Sequence, residues 1–217
     1  MDVVVGGGKY GVEAAKYLRE RSRSFVILDT NPECVAVKEL NLQIADKVDD
    51  VDMDGGEYFL KGGAEDLFDL VLYLRSEYIF PTAPIHVVAE AVKVKFKMEP
   101  WNDVVDCIMS GLPFKVIVSA GMGSVVVSYN RDNNCLDKCL APDICPVTKI
   151  KKPCPMYDLI KFAYPEAFVL VSQQLEPGIG AITGEDFLRL SEWVEKKRRI
   201  VLATACRCHG VITALKS

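Results

Sequence analysis

Six cysteines and one histidine fall in two short stretches, and both are spaced for sulfur chemistry. NNCLDKCLAPDICPVTKIKKPCP, residues 133–155, carries Cys135, Cys139, Cys145 and Cys154, while VLATACRCHG, residues 201–210, carries Cys206, Cys208 and His209. Thiolates and imidazoles ligate zinc and iron, so the two stretches read as a metal centre closed by distant parts of the chain. The first ligand set is Cys135, Cys139 and Cys145 with one of Cys206, Cys208 or His209, and Cys154 is the spare. The C-x2-C knuckles of zinc ribbons and ferredoxins are absent. Cys-Pro steps at Cys145 and Cys154, and the charges of Lys149, Lys151 and Lys152 that would offset an anionic cluster, tilt the reading to iron–sulfur over zinc. The same residues are also compatible with redox thiols, a reversible disulfide or inert core cysteines. Cys34 and Cys107 stand alone among apolar neighbours and read as small core residues.

The second chemical pattern opens the chain. Val3 to Val5 form an apolar run, followed by Gly6, Gly8 and Gly11 in G-x-G-x-x-G spacing. Val12, Ala15 and Leu18 then recur at helical spacing, Phe25 to Leu28 make a second strand, and Asp29 ends it. In a dinucleotide site the first glycine permits the turn, the second lets a pyrophosphate approach, and the third allows close helix packing. The helix start, at Lys9 and Tyr10, offers N–H donors to phosphate. Asp29 would accept from the adenosine ribose hydroxyls and repel a 2′-phosphate, favouring NAD over NADP. Thr82 and His86 follow a predicted strand at Tyr78 to Phe80, where ligands approach an open α/β sheet. Thr82 is therefore a candidate contact, and His86 a candidate acid/base group set against a local hydrogen-bonding role.

On VVVGGGKYGVEAAKYLRERSRSFVILDTNPE and the later FLKGGAEDL, the first hundred residues resemble the NAD-binding KTN or RCK domain of potassium-transport regulators. The matching positions are Gly6, Gly8, Gly11, Asp29, Gly63 and Ala64; the Asp of that family's Gly-Asp-Ala turn is missing here. The resemblance implies a Rossmann fold, adenine-nucleotide binding and a homodimer. The second half does not resemble that family's regulatory domain. VVVGGGKYGVEAAKYL is also similar to the opening of siroheme-pathway dehydrogenases, which usually lack an Asp-Xaa-Asn-Pro continuation.

The elements that must hold these residues form a β-α-β rhythm. Tyr58 to Leu60 and Tyr78 to Phe80 are predicted strands, and Glu65 to Leu74 a helix with Leu67, Leu70 and Leu74 on one face. Val116 to Val127 reads as two strands around a turn, and Ala167 to Ser172 and Arg199 to Thr204 as two more. EPGIGAITGEDF predicts a Gly-rich loop leading into a helix capped by Thr183 and Asp186; a tight turn is favoured there over a phosphate cradle at Gly178, Gly180 and Gly184. DDVDMDGGE matches only half of a calcium loop, because Lys61 stands where a bidentate Glu belongs, and it reads as a solvated acidic loop.

The fold expected is thus α/β, with a Rossmann-like parallel sheet in residues 1–108 and a Cys-rich α/β second half in 109–217. No apolar stretch is long enough for a membrane span. A net charge of −4 without an extended basic face argues against nucleic acid. No secretory leader is visible, so the cytoplasm is the expected compartment, and reduced thiols there favour metal or catalysis over structural disulfides. The functions consistent with all this are a redox enzyme or sensor joining NAD(H) to a Cys-ligated centre, a nucleotide-responsive module with structural zinc and no catalysis, or a siroheme-like dehydrogenase.

Overall fold

The computed structural model describes residues 1–217 as a mixed α/β chain with two mixed sheets and seven α-helices. They divide into two compact units, Met1–Lys95 with Ala181–Ser191, and Phe96–Gly180 with Glu192–Ser217.

Unit 1 begins with β1 (Asp2–Val5), whose four residues are all buried, as a valine run between two neighbouring strands should be. Helix α1 (Lys9–Glu20) buries Gly11, Val12, Ala14, Ala15 and Leu18 and turns Glu13, Lys16 and Arg19 outward. It ends where Ser22 takes a left-handed φ of 53° and the Arg23 N–H bonds the Leu18 carbonyl. Next come β2 (Phe25–Asp29), α2 (Val35–Glu39), β3 (Gln43–Ala45), β4 (Glu57–Lys61), α3 (Leu67–Leu74), β5 (Tyr78–Pro81) and α4 (Val87–Lys95). The first strand lies between β2 and β5, parallel to both, and β4 and β3 continue outward from β2 in parallel. The chain therefore lays strands to one side of β1 and then crosses to the other. Asp2 is fully buried beneath this crossover; its carboxylate accepts from Arg23 Nε at 2.6 Å and from the Tyr78 N–H at 2.9 Å.

Unit 2 starts with β6 (Glu99–Pro100), α5 (Val105–Ser110), β7 (Ile117–Gly121) and β8 (Ser124–Ser128). After a long segment without regular structure come α6 (Met156–Ala163), β9 (Phe168–Val171) and β10 (Gln173–Glu176); β11 (Ile179–Thr183) and α7 (Gly184–Val194) follow, most of their residues belonging to unit 1, and β12 (Arg199–Ala205) and β13 (His209–Lys216) complete unit 2. Its sheet runs β7-β8-β13-β12-β9, all antiparallel except the β12–β9 pair, and β6 also pairs with β13. Val125, Val127, Ile212 and Ala214 face Ile108, Met156 and Ile160 in one apolar cluster.

Two expectations need correction, the boundary of the first unit and the burial of Cys107. The first unit ends at Lys95 instead of residue 108, and Ala181–Ser191 returns to it. That return has a physical cause: β11 pairs antiparallel with β5 through Ile182 and Thr183, covering an open sheet edge, and Phe187 stacks on Phe68 with centroids 4.3 Å apart. Such a ring pair contributes about 0.5–1.5 kcal/mol beyond its buried area. The Gly-rich stretch before the helix is the tight turn that its sequence favours: Gly178 stands between β10 and β11, Gly180 lies in β11 and Gly184 packs on the Ser76 carbonyl. Cys107 is exposed, because Val105 and Ile108 take the buried face of α5. Cys34, by contrast, is buried. Thr183 does cap α7, accepting from the Asp186 N–H at 3.1 Å.

Candidate functional sites

In unit 1 the glycine loop joins β1 to α1 at the point where the strands diverge to either side. Each glycine has its own neighbours. Gly6 has a φ of +108°, and a β-carbon on it would lie 2.9 Å from the Ala83 nitrogen. A β-carbon on Gly7 would strike Cys34 Sγ, and one on Gly11 would strike the Gly6 carbonyl oxygen. These three are required by the fold itself. Gly8 differs. Its φ of −78° and ψ of −166° suit any residue, and a β-carbon on it would meet nothing of the chain within 4 Å. It is the N-cap of α1, with no side chain capping the helix, and Gly8, Lys9 and Tyr10 are exposed. The Lys9 ammonium lies 5.7 Å from the Tyr10 ring centre.

Asp29 ends β2 beside this loop. Its Oδ2 accepts from the Gly7 N–H at 2.5 Å and its Oδ1 from the Asn31 N–H at 2.8 Å. A carboxylate accepts about four hydrogen bonds, so half of its capacity stays open. Thr82, a candidate ligand contact by sequence, donates to the Val5 and Gly6 carbonyls at 3.0 and 2.9 Å and so pins the loop to the end of β5. His86 precedes α4. Desolvation of its ring lowers its pKa to about 3 although the residue as a whole is only partly buried, so at neutral pH it is an uncharged imidazole. The Gly62–Gly63 turn adjoins Asp29, with the Gly62 N–H on the Asp29 carbonyl at 3.1 Å and the Gly63 N–H on Asp66 Oδ2 at 3.0 Å.

In unit 2 the seven sulfur and imidazole residues occupy several distinct settings, and no three His, Cys, Asp or Glu side chains converge in a group that could hold a metal ion. Cys135 is exposed and its sulfur accepts from Asn130 Nδ2 at 3.3 Å. Asn130 itself is buried, and its Oδ1 has no partner. Cys139 Sγ accepts from the Ala141 N–H at 3.4 Å. Cys145 lies in a turn closed by the Lys149 N–H on its carbonyl. Desolvation pushes its thiol up, but bonds from the Thr148 side chain and the Thr148 and Val147 N–H groups, with the Lys152 charge, bring it below an ordinary thiol.

Cys154, the spare of the sequence reading, is the cysteine of the loop that meets the C-terminal group. Tyr129 stitches them: its hydroxyl donates to the Cys154 carbonyl at 2.9 Å and lies 3.9 Å from the Cys154 sulfur, while its N–H bonds the Cys208 carbonyl at 3.0 Å. The Met156 N–H adds a bond to the Arg207 carbonyl at 3.1 Å. Burial, and then Cys154, raise the Tyr129 phenol well above its usual range, so it stays protonated as a donor.

The C-terminal group is the turn between β12 and β13. Ala205 and Gly210 form the last pair of the ladder, and the Cys206 N–H bonds the His209 carbonyl at 2.9 Å. Within the turn the Cys208 N–H donates to Cys206 Sγ at 3.3 Å, and His209 Nδ1 lies 3.5 Å from the same sulfur. Lys152 reaches in from the loop and donates from Nζ to Cys208 Sγ at 3.1 Å, although the residue is only 8% exposed. The Cys208 thiol donates to Cys206 and lowers it to about 6, and the same bond raises Cys208 itself. Of the two sulfurs, Cys206 is the one on which the thiolate is favoured. Sequence reasoning read Lys152 as one of three lysines that would offset an anionic cluster. The signal it left was the lysine run itself.

The comparisons with known proteins match both parts of the chain. Residues 1–87 match AF_1314_N, described as an uncharacterized protein's N-terminal domain, and residues 87–217 match AF_1314_C, the corresponding C-terminal domain. An "Uncharacterized protein" of Archaeoglobus fulgidus is 65% identical over 216 residues, spanning 100% of this chain and 99% of its own length. No solved structure matches. By its match over residues 87–217, together with that relative, the chain belongs to the AF_1314 family.

Proposed function

We propose that unit 1 is a Rossmann-like module that binds an adenine dinucleotide, NAD(H) in preference to NADP(H). The observation that carries this reading is Gly8. Its neighbours in the loop are glycines for reasons internal to the fold, whereas Gly8 has an unrestricted backbone and open space where its side chain would be. A glycine with no steric reason internal to the fold, placed at an uncapped helix N-terminus, suits the close approach of a pyrophosphate. The unpaired N–H groups of the first turn would donate to the phosphate oxygens, and the partial positive charge of the helix end would favour them. Asp29 keeps acceptor capacity for ribose hydroxyls, and its charge disfavours a 2′-phosphate. Thr82 acts by fixing the loop, and His86, neutral and set before α4, is no proton donor at neutral pH.

The test is calorimetric titration of the intact chain with NAD, NADH, NADP and NADPH. NAD or NADH should bind at least about tenfold tighter than its phosphorylated counterpart, the size expected from one like-charge contact of about 1.4 kcal/mol. Asp29→Ala should erase that preference. Lack of heat or saturation with all four at millimolar concentration would refute the assignment.

A further inference from the structure

The turn after β12 has features that neither the nucleotide loop nor the fold explains. Lys152 is buried, forms no ion pair with a carboxylate, and directs its ammonium at a cysteine sulfur 3.1 Å away. A buried ammonium is costly unless an anion faces it. The ammonium meets Cys208 Sγ, and the Cys208 N–H in turn donates to Cys206 Sγ at 3.3 Å, so the two sulfurs are the groups available. Both cysteines remain partly exposed at the end of a hairpin, where another molecule can reach them.

We propose that Cys206 and Cys208 are a redox dithiol that exchanges with disulfides, Cys206 attacking and Cys208 resolving, with Lys152 as the positioning charge. In the first step the Cys206 thiolate attacks one sulfur of a substrate disulfide. The substrate S–S bond breaks, a mixed disulfide forms on Cys206, and one substrate thiolate leaves with the bonding pair. In the second step Cys208 releases its proton to solvent and attacks Cys206 Sγ. The mixed disulfide breaks, the second substrate thiolate leaves, and a Cys206–Cys208 disulfide closes. One substrate disulfide is thereby reduced to two thiols while the protein dithiol is oxidised, and an excess of small thiol runs the sequence backwards. Lys152 favours the thiolate form of the reduced pair and then of Cys208, whose sulfur it touches, before the second attack. This inference stands on unit 2 alone and does not need a nucleotide.

Arg207 between the two cysteines makes the test direct, because trypsin cuts after it and separates residues 200–207 from 208–216 unless a disulfide joins them. The reduced intact chain, without nucleotide, is equilibrated against defined ratios of oxidised to reduced glutathione, quenched in acid, unfolded, alkylated and digested. The linked peptide pair should appear with rising oxidised glutathione and disappear with excess reduced glutathione. Cys208→Ser should accumulate glutathione on Cys206, Lys152→Met should slow that first step about tenfold or more at pH 7, and Cys107→Ser, at an exposed cysteine outside the site, should behave as the parent. Separate, fully alkylated peptides at every ratio would overturn the proposal, and this arm needs no variant to fold. So would zinc or iron bound in stoichiometric amount and lost in both Cys206→Ser and Cys208→Ser, since ligation would then account for the thiolates.

Discussion

Replacing Gly8 by alanine separates a ligand-driven glycine from a fold-driven one. At the N-cap, glycine is better than alanine by about 0.5–1 kcal/mol. Against this, alanine restricts the unfolded chain and returns about 0.4–1 kcal/mol where the backbone suits it, as a φ of −78° does. A β-carbon at Gly8 meets nothing of the chain within 4 Å, so no steric cost is added. The net change is about zero. At roughly 2–4 °C per kcal/mol for a chain of this size, the melting temperature of Gly8→Ala should stay within about 2 °C of the parent. Binding behaves differently. In the proposed binding mode the new methyl would stand where the pyrophosphate approaches, and losing two charge-assisted hydrogen bonds at about 1.5–3 kcal/mol each should weaken NAD by at least about a hundredfold. Gly11→Ala is the contrast, because its β-carbon strikes the Gly6 carbonyl; overpacking of about 1–3 kcal/mol should lower the melting temperature by several degrees without any ligand. Scanning calorimetry and NAD titration of both variants are the assays. If Gly8→Ala binds NAD like the parent, the open space at Gly8 is not where a nucleotide sits, and the argument from that glycine fails.

Alkylation of Cys206 by iodoacetamide, followed by peptide mass, should reach half its maximal rate near pH 6, since the rate follows a thiolate that forms as pH rises through that value; Cys208→Ala should move the midpoint up. His86 contributes a pH-dependent stability term. Its folded pKa, about 3, lies below the 6.5 of an exposed histidine, so the unfolded chain binds a proton first and stability falls as pH drops from about 6.5 towards 3. His86→Gln should therefore lose about 1–2 kcal/mol less than the parent between pH 6.5 and 5 in urea melts; equal losses would show that the ring is not desolvated. Asp2→Ala should cost about 3 kcal/mol in the same melts, because it strips a fully buried carboxylate from Arg23 and the Tyr78 N–H. A loss below about 1 kcal/mol would mean that the pair contributes no more than a surface ion pair.

The first half was legible because its signals are local. A valine run, a glycine loop and an amphipathic stretch each fix an element within a dozen residues, and β1, α1 and β2 stand where that reasoning set them. The return of Ala181–Ser191 was not legible, since β11 is chosen by the vacant edge of β5, about a hundred residues earlier in the chain. Strand β13 left a signal that went unused: VLATA and VITALK flank a short turn, as a hairpin does, but the cysteines and histidine drew attention to the turn alone. The exposure of Cys107 shows the limit of neighbour composition, because a helix presents successive residues in different directions and only its packing decides which face is covered.

The cysteine pattern shows most plainly what spacing cannot supply. Counting residues between sulfurs grouped Cys135, Cys139 and Cys145 and left Cys154 aside, whereas the hydrogen bonds of Tyr129 and Met156 bring the segment at Cys154 to the Cys206–Cys208 turn. Spacing also made the lysines equivalent. In the fold they are not: Lys149 donates to the Pro146 carbonyl at the surface, Lys151 is exposed, and Lys152 alone is buried against a thiol. A basic run usually marks a solvated face, and two of these three lysines conform to that. The third carries charge into a place where apolar packing would be more stable by several kcal/mol if no anion were present. A lysine held there favours the thiolate form of the sulfur it meets, Cys208, and through it of the pair. That preference follows from burial and distance, independently of whether the sulfurs serve exchange or ligation, and Lys152→Met tests it directly: the pH midpoint for alkylating Cys206 should rise, because the ammonium that favours charge on the pair through Cys208 is gone, and an unchanged midpoint would show that the ammonium does not act on the pair.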